Sequence, residues 1–317
     1  MTDTIVRAAV VQDHPVMRDP ETAVAHTATL LKQAADGGAQ IAVFPEAFIG
    51  GYPKGNHFGA PVGMRMDEGR EAYRLYTLGA ITVPGPWVDA LGEAVRAAGI
   101  HAVIGIIEKD LGTLHCATLM FGPDGVLLGK HRKLMPTAAE RLIWGTGDGS
   151  TIPVIDTPIG KMGSVICWEN YMPMLRMAMY GKGIELYCVS TVDERDQWQA
   201  TLRHIAIEGR CFVLSSCAYL QRKQCPDDHQ TVQGNDPETV MIRGGSVIFS
   251  PLGECLTGPV YDEQTILFAD LDMGDIARGK YDLDAVGHYA RPDVFKLIVD
   301  ERPKNAVSYE GEPNDPA

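Results

Sequence analysis

Short, almost continuous apolar segments alternate along the chain with amphipathic segments of helical period. Residues 5–12 form the first apolar run, and the amphipathic run over residues 22–35 follows Asp19 and Pro20. A continuous apolar run is typical of a strand that is covered on both faces. A capping side chain followed by proline is typical of a helix N-terminus. The alternation therefore predicts an α/β protein.

The same alternation continues to residue 220. The further predicted strands cover residues 40–44, 100–107, 113–121, 126–129, 161–166, 184–190 and 211–220. The further predicted helices cover residues 87–98, 172–182 and 196–208. Residues 221–239 are polar and rich in Asp, Gln and Pro, which is typical of a surface loop.

A turn pattern, Phe-x-Pro-x-Gly, occurs at residues 121–125 and again at residues 249–253. Its repetition in two regions that both alternate strands and helices predicts two similar sheets packed together. No change of composition divides the chain, so we predict a single domain over residues 1–317. Residues 306–317 are predicted to form a disordered acidic tail.

The charge balance and the cysteines exclude several classes of protein. The chain has 317 residues, 28 Lys and Arg against 41 Asp and Glu, and a formal net charge of −13. This acidic balance does not indicate the basic patch that nucleic-acid binding requires. No apolar run approaches the roughly 20 residues of a membrane span, and the N-terminal residues lack a secretory signal pattern. The seven cysteines form no Cys-x-x-Cys motif, which favours the reducing cytoplasm over a disulfide framework or zinc site.

Three polar residues, Glu46, Lys133 and Cys167, follow predicted hydrophobic strands, where sites of α/β proteins are built. Singly, each has an ordinary explanation: Glu46 could cap a helix, Lys133 could be solvated, and Cys167 could pack as a small hydrophobe. Together they combine a base, a cation that stabilises developing negative charge and a thiol nucleophile. That set suits attack on an electrophilic carbon. Glu140 and Glu169 are candidates for a second carboxylate that orients the lysine or positions water.

Three stretches resemble the signatures of the nitrilase family and occur in the family's order. They are residues 44–55 (FPEAFIGGYPKG), 131–149 (HRKLMPTAAERLIWGTGDG) and 165–173 (VICWENYMP). The similarity extends over residues 5–290. The Cys-Trp-Glu-Asn-x-x-Pro form after the nucleophile resembles true nitrilases, whereas amidase-like relatives usually carry a different stretch there.

The resemblance implies a four-layer αββα sandwich that pairs to αββααββα in a homodimer or larger homo-oligomer. It also implies a Glu-Lys-Cys triad with no metal and no organic cofactor. Carried over by position, Glu46 is the general base, Lys133 stabilises the intermediate, Cys167 is the nucleophile, and Glu140 is the second glutamate beside the lysine. The implied reaction is hydrolysis of an organic nitrile to a carboxylic acid and ammonia through a covalent thioimidate and thioester.

The candidate residues for the substrate pocket are aromatics near the motifs and residues at a strand end: Tyr52, Trp144, Trp168, Thr191 and Val192. Packing in the core is the alternative for each of them. Apolar walls would suit aliphatic or arylaliphatic nitriles, dinitriles included.

Two alternative functions stay open. A cysteine amidase or carbamoylase of the same superfamily uses the same triad on an amide, and a catalytically silent assembly protein would keep the fold alone. A metal hydrolase is disfavoured, because the nine histidines show no His-x-x-x-His spacing beside a carboxylate. No Gly-x-x-x-x-Gly-Lys-Ser/Thr loop indicates nucleotide binding.

Overall fold

The chain alternates between strands and helices as the sequence pattern predicts, and the computed structural model describes it from residue 4 to residue 307. The strands are β1 (Ile5–Gln12), β2 (Val16–Met17), β3 (Ile41–Val43), β4 (Ile49–Gly50), β5 (His101–Asp110), β6 (Thr113–Phe121), β7 (Leu127–Arg132), β8 (Val154–Thr157), β9 (Gly160–Ile166), β10 (Leu186–Thr191), β11 (Phe212–Cys217), β12 (Tyr219–Gln221), β13 (Val240–Phe249), β14 (Cys255–Tyr261) and β15 (Thr265–Asp272). The helices are α1 (Pro20–Asp36), α2 (Asp67–Tyr76), α3 (Pro86–Ala98), α4 (Pro173–Gly181), α5 (Asp196–Gly209) and α6 (Gly274–Gly279). Short 3-10 helices cover Thr77–Gly79, Ala138–Leu142, Gly149–Thr151, Cys167–Tyr171 and Arg222–Gln224.

Within the described range the strands form two sheets of similar construction. In the first, β1, β3 and β5 run parallel in the middle, with β15 antiparallel on one side and the β6–β7 hairpin on the other. In the second, β9, β10 and β11 run parallel in the middle, with β8 and β13 antiparallel beside them. Parallel strands leave their carboxyl ends at one edge of each sheet, which is where α/β proteins place their sites.

The two sheets pack face to face, and helices cover both outer faces. Val10 of β1 points into the core between the sheets, where it joins Cys188 and Phe212 of the second sheet. Val11 points the other way and packs with α1 and α3. Helices α4 and α5 cover the outer face of the second sheet in the same way. Because these strands are buried on both faces, they appear as continuous apolar runs in the sequence. The expected four-layer αββα sandwich is confirmed.

The two Phe-x-Pro-x-Gly turns occupy matching places in the two sheets. Residues 121–125 connect β6 to β7, and residues 249–253 connect β13 to β14. Each turn ends on a glycine with positive φ, +80° at Gly125 and +82° at Gly253. Glycine adopts this conformation without the steric cost that a side chain would bring. The repeated turn is therefore a feature that the two sheets share.

Some elements differ from the sequence prediction. The predicted strand over residues 211–220 is interrupted after Cys217, because the Tyr219 N–H donates to the Asp13 carbonyl instead of continuing the ladder. Helix α2 was not predicted; its residues are mostly polar, and only Gly69 and Tyr76 of them are buried. Such a helix lacks the wide apolar stripe that makes surface helices recognisable.

The predicted tail at residues 306–317 falls mostly outside the described part of the chain; Ala306 and Val307 are exposed. Among residues 4–307, no helix has the length and apolar character needed to cross a bilayer.

The turn that carries Glu46 lies directly against the middle of β5. A Cβ at Gly105 would stand 2.0 Å from the Pro45 carbonyl oxygen and 3.0 Å from the Glu46 Cα. The turn can approach the strand this closely only because Gly105 has no side chain.

We therefore expect Gly105→Ala to force the Glu46 turn away from β5 and to lower the free energy of unfolding by about 1–3 kcal/mol, as overpacking does. Urea denaturation measures this change. The matched control is Gly112→Ala in the β5–β6 turn, where an added Cβ meets nothing within 4 Å. Equal stability of the two variants would show that the close approach at Gly105 is no constraint.

Candidate active site

Glu46, Lys133 and Cys167 come from three strand ends that meet where the two sheets face each other. Glu46 follows β3, Lys133 follows β7 and Cys167 follows β9. Cys167 opens a 3-10 helix with a φ of +48°, and the Asn170 side chain donates to its carbonyl oxygen at 2.7 Å. A left-handed conformation is uncommon for a residue with a side chain, and here it turns the chain sharply at the thiol.

The Lys133 ammonium lies between two carboxylates. Its Nζ donates to Glu46 Oε1 at 2.7 Å and to Glu140 Oε2 at 2.7 Å. The side chains of Lys133 and Glu46 are fully buried. The ammonium also stands 5.5 Å from the centre of the Trp144 ring, within the range of a cation–π contact. Since an ammonium has three N–H donors, one of them is left for a reacting group.

The Cys167 sulfur has a hydroxyl donor on one side and the Glu46 carboxylate on the other. Thr191 Oγ1 donates to Sγ at 3.2 Å, and the Asp193 N–H donates to the same Oγ1 at 2.9 Å, which leaves the hydroxyl hydrogen for the sulfur. The thiol also interacts with Glu46 and lowers the pKa of that carboxyl. Glu46 Oε2 is buried and accepts no well-aligned hydrogen bond from residues 4–307. It is therefore free to take a proton.

Burial and the neighbouring charges set the protonation states of these groups. Burial raises the pKa of Glu46, and the charge of Lys133 opposes only part of that effect. Burial and then the charge of Glu46 raise the pKa of Cys167, so the resting thiol is neutral. Burial alone would lower the pKa of Lys133, but the charges of Glu46 and its neighbours hold that pKa well above its ordinary range. A neutral thiol therefore lies beside an unoccupied carboxylate oxygen and a permanent cation.

Glu140 lies beside the lysine, as the sequence predicts. It is part of the 3-10 helix Ala138–Leu142, where it forms a capping box with Thr137. Its Oε2 accepts from Lys133 and from the Thr137 N–H at 2.6 Å, and its Oε1 accepts from the Tyr52 hydroxyl at 2.7 Å. Tyr52 and Thr137 thus hold the Glu140 carboxylate, which in turn holds the ammonium.

Glu169, the other candidate carboxylate, accepts hydrogen bonds from backbone N–H groups rather than from the lysine. It is buried and accepts from the Ile166 N–H at 2.5 Å and from the Leu134 N–H at 2.9 Å. His131 Nε2 lies 2.6 Å from the same carboxylate, and His131 Nδ1 faces the Thr151 carbonyl. Glu169 therefore ties the residue before Cys167 to the residue after Lys133.

His131 was not predicted as a functional residue, because its position in the sequence carries no metal-ligand spacing. Both of its ring nitrogens face oxygen acceptors, which is the arrangement of a doubly protonated imidazolium. Burial alone would lower the pKa of His131, but the charge of Glu169 raises it overall. Cys116 was also missed: its Sγ lies 3.5 Å from Glu46 Oε1 as a second donor to the base.

A cavity of about 210 Å³ opens above Cys167. Of the predicted pocket residues, Tyr52, Trp168 and Val192 line it. The mouth is charged as well as aromatic: Lys54 pairs with Glu194 at 3.1 Å, and Arg195 pairs with Asp193 at 2.5 Å. The rest of the wall is formed by Thr137 and Glu140.

Trp144 and Thr191 lie behind this cavity rather than on its wall. Trp144 is buried, donates from Nε1 to the Tyr76 hydroxyl at 3.3 Å, and packs edge-on against Tyr52 with ring centres 5.7 Å apart. This placement fits the packing alternative that the sequence left open. Thr191 is fully buried, and its hydroxyl donates a hydrogen bond to the sulfur of Cys167.

A thiol, a carboxylate and an ammonium enclosed together at the strand ends of an αββα sandwich are typical of cysteine hydrolases that cleave carbon–nitrogen bonds. The family described as Carbon-nitrogen hydrolase matches residues 7–281. An aliphatic nitrilase of Sinorhizobium fredii (strain HH103) is 58% identical over 304 residues, which cover 96% of this chain and 98% of that protein. A bifunctional nitrilase/nitrile hydratase of Lupinus angustifolius is 52% identical over 309 residues, 96% of this chain and 88% of that protein.

Solved structures share the fold. The crystal structure of the C. elegans NitFhit protein matches with a TM-score of 0.72 at 19% identity, over 96% of this chain and 70% of that chain. At this identity the likeness concerns the fold alone. The chain belongs to the carbon-nitrogen hydrolase family, in its nitrilase branch.

The contacts of Glu169 predict the effect of removing its charge. In Glu169→Gln, one amide N–H must face a backbone or imidazole N–H, so we expect the free energy of unfolding to fall by about 1–3 kcal/mol and the activity to fall with it. Urea denaturation and steady-state rates measure both.

Glu185→Gln is the matched control, because Glu185 also accepts a backbone N–H, from Lys161 at 2.8 Å, in another part of the second sheet. Wild-type activity in Glu169→Gln would contradict the assigned role.

Proposed function

We propose that this nitrilase converts short organic nitriles, aliphatic or arylaliphatic and including dinitriles, to the carboxylic acid and ammonia through a covalent intermediate on Cys167. The observation that carries the proposal is the free, buried oxygen of Glu46 beside a neutral thiol and the Lys133 ammonium. Glu46 acts as the general base, Lys133 stabilises the intermediates, and Cys167 is the nucleophile. Glu140 positions the lysine.

The first half of the reaction forms a thioimidate. Glu46 takes the proton from the thiol as the sulfur attacks the nitrile carbon, and the C≡N bond becomes C=N. The nitrogen receives a proton in return. Because the pKa of Cys167 is raised, proton transfer and attack must be coupled, and the Thr191 hydroxyl supports the sulfur as charge develops on it.

The second half releases the products. Water adds to the thioimidate carbon while Glu46 accepts its proton, which gives a tetrahedral species carrying sulfur, hydroxyl and amino groups. The remaining N–H of Lys133 stabilises the charge on this species. Departure of the amine as ammonia leaves a thioester, and a second water converts the thioester to the acid and restores the thiol.

The same tetrahedral species can lose the thiol instead of ammonia and then releases an amide. The Lupinus angustifolius relative is named as a bifunctional nitrilase/nitrile hydratase, so a minor amide product is part of the proposal. The ratio depends on whether the nitrogen or the sulfur is protonated first.

The space directly above Cys167 suits the reacting end of a small substrate. Pockets for drug-sized ligands usually have volumes of about 300–1,000 Å³, and the space above Cys167 is about 210 Å³. The aromatic wall formed by Trp168 and Tyr52 suits an alkyl or benzyl group. The paired charges at the mouth can bind the polar second nitrile of a dinitrile.

The direct test of the function compares each nitrile with its matching amide. We expect ammonia release from short dinitriles or phenylacetonitrile to exceed release from the corresponding amides, and Cys167→Ala to abolish it because no nucleophile remains. Cys255→Ala, at a half-buried thiol outside the site, is the control. Preference for the amide would indicate an amidase. Full activity in Cys167→Ala would refute the proposal.

The raised pKa of Glu46 predicts the acid limb of the pH profile. The carboxyl must be ionised to accept a proton, so kcat/KM falls as pH decreases through the pKa of Glu46 in the free enzyme. We expect the midpoint of this fall to lie above the ordinary glutamate value of 4.5. Circular dichroism over the same range separates titration from acid unfolding. A midpoint at or below the ordinary value in the folded enzyme would contradict the assignment of Glu46 as the base.

A further inference from the structure

A second cluster of imidazole and carboxylate groups lies away from the catalytic residues, where β1 ends. Asp13 and His14 directly follow β1, and His26 comes from α1. Asp13 Oδ1 is 2.6 Å from His14 Nδ1 and 3.5 Å from His26 Nε2. Each of the three residues offers one potential metal-ligand atom, and these atoms lie within 4.8 Å of one another. Gln264, just before β15, extends its amide into the same group.

No placement of a hydrogen atom on His14 Nδ1 gives every contact in this cluster both a donor and an acceptor. Gln264 Nε2 lies 2.6 Å from Asp13 Oδ1 and 2.8 Å from His14 Nδ1. If His14 Nδ1 carries a proton for Asp13, that N–H faces the amide N–H of Gln264. If it carries none, its lone pair faces the Asp13 lone pair at 2.6 Å. One of the three contacts is repulsive in either tautomer, and a cation among these atoms would remove the conflict.

The third residue of the cluster, His26, contributes a ring nitrogen without a hydrogen-bond partner among residues 4–307. Its Nε2 is enclosed and makes no well-aligned hydrogen bond with the part of the chain described here. The ring is held by stacking on Phe48, with centres 5.7 Å apart, and by His14 at 4.6 Å. A buried nitrogen without a partner is costly, and its position beside Asp13 makes it a ready ligand atom.

We propose that Asp13, His14 and His26 bind one divalent transition-metal ion of the Zn²⁺, Ni²⁺ or Cu²⁺ class. Imidazole nitrogens select these ions over Mg²⁺ and Ca²⁺, which prefer all-oxygen sites. Ligand atoms about 2.0–2.1 Å from Zn²⁺ stand roughly 3.3 Å apart in a tetrahedron. The Asp13–His26 separation of 3.5 Å already fits this value, and the Asp13–His14 pair must open by less than about 1 Å.

The charge and exposure of the cluster suit an ion. Asp13 contributes a carboxylate, a side chain that is ordinarily ionised at neutral pH. The three side chains are 12% to 25% exposed, which leaves a path for the ion. Rotating the Gln264 amide by half a turn would offer its oxygen as a fourth ligand, and water is the alternative.

A bound ion would join the end of β1 to helix α1, and Gln264 as the fourth ligand would add the connection between β14 and β15. Its expected effect is stabilisation of the folded chain, since a ligand that binds only the native state raises the melting temperature. The proposal does not depend on the nitrilase reaction.

The test uses the tag-free full chain, stripped with EDTA and titrated with Zn²⁺ in a calorimeter, and with Co²⁺ for spectroscopy. We expect one equivalent to bind, the melting temperature to rise, and the Co²⁺ spectrum to lack thiolate charge-transfer bands. Asp13→Asn and His26→Ala should weaken binding at least about tenfold, as loss of a metal contact does, and should cancel the rise in melting temperature. His26→Gln serves if His26→Ala does not fold.

His204→Ala is the matched control, because His204 is a largely exposed histidine beside Glu208 on α5. It should bind Zn²⁺ as the wild type does. Absence of binding in the wild type, unchanged binding in both Asp13→Asn and the His26 variant, or a Co²⁺ spectrum with thiolate bands would overturn the proposal.

Discussion

The burial of the Lys133 ammonium between two carboxylates is the interaction on which the rest of the site depends. Removing an ion from water costs on the order of several kcal/mol, and good hydrogen-bonding geometry with opposite charges must offset that cost. Glu46 and Glu140 meet the requirement, each at 2.7 Å from Nζ. The lysine thereby stays charged and holds Glu46 in the orientation that leaves its second oxygen beside the thiol. Tyr52 and Thr137 donate further hydrogen bonds to Glu140, and Cys116 donates to Glu46 Oε1.

The same arrangement explains why the thiol rests in its neutral form. Two carboxylates against one ammonium leave an excess of negative charge near Cys167, and together with burial this charge raises the pKa of the thiol. Burial and the charge of Glu140 likewise raise the pKa of Tyr52, which stays protonated and donates to Glu140. A thiol of this kind needs a base at the moment of attack, in contrast to thiolates formed in advance beside an imidazolium. The free oxygen of Glu46 supplies that base.

Rigid backbone contacts place these groups within reach of one another. The Glu46 turn rests on Gly105, and the Glu169 carboxylate joins the nucleophile's backbone to that of the lysine. The His131–Glu169 pair is enclosed in the same way as the lysine cluster. The catalytic groups therefore stand on strand ends whose separation is fixed by buried polar contacts.

The sequence by itself determined the layers and the identity of the central residues. Alternating apolar and amphipathic runs predicted an α/β protein, because strands buried on both faces carry continuous apolar residues, and the resemblance of the three motifs implied the αββα sandwich. The three motifs indicated Glu46, Lys133, Cys167 and Glu140, whose roles stay predictions, and the structure brings them together. Only the tertiary structure decided that Glu169 holds backbone, that Thr191 faces the sulfur while Trp144 packs behind it, and that Asp13 and His14 meet His26. These contacts join residues that are distant in the chain or have several possible neighbours. Their partners depend on sheet packing and on the direction of each side chain, and no local sequence pattern encodes either.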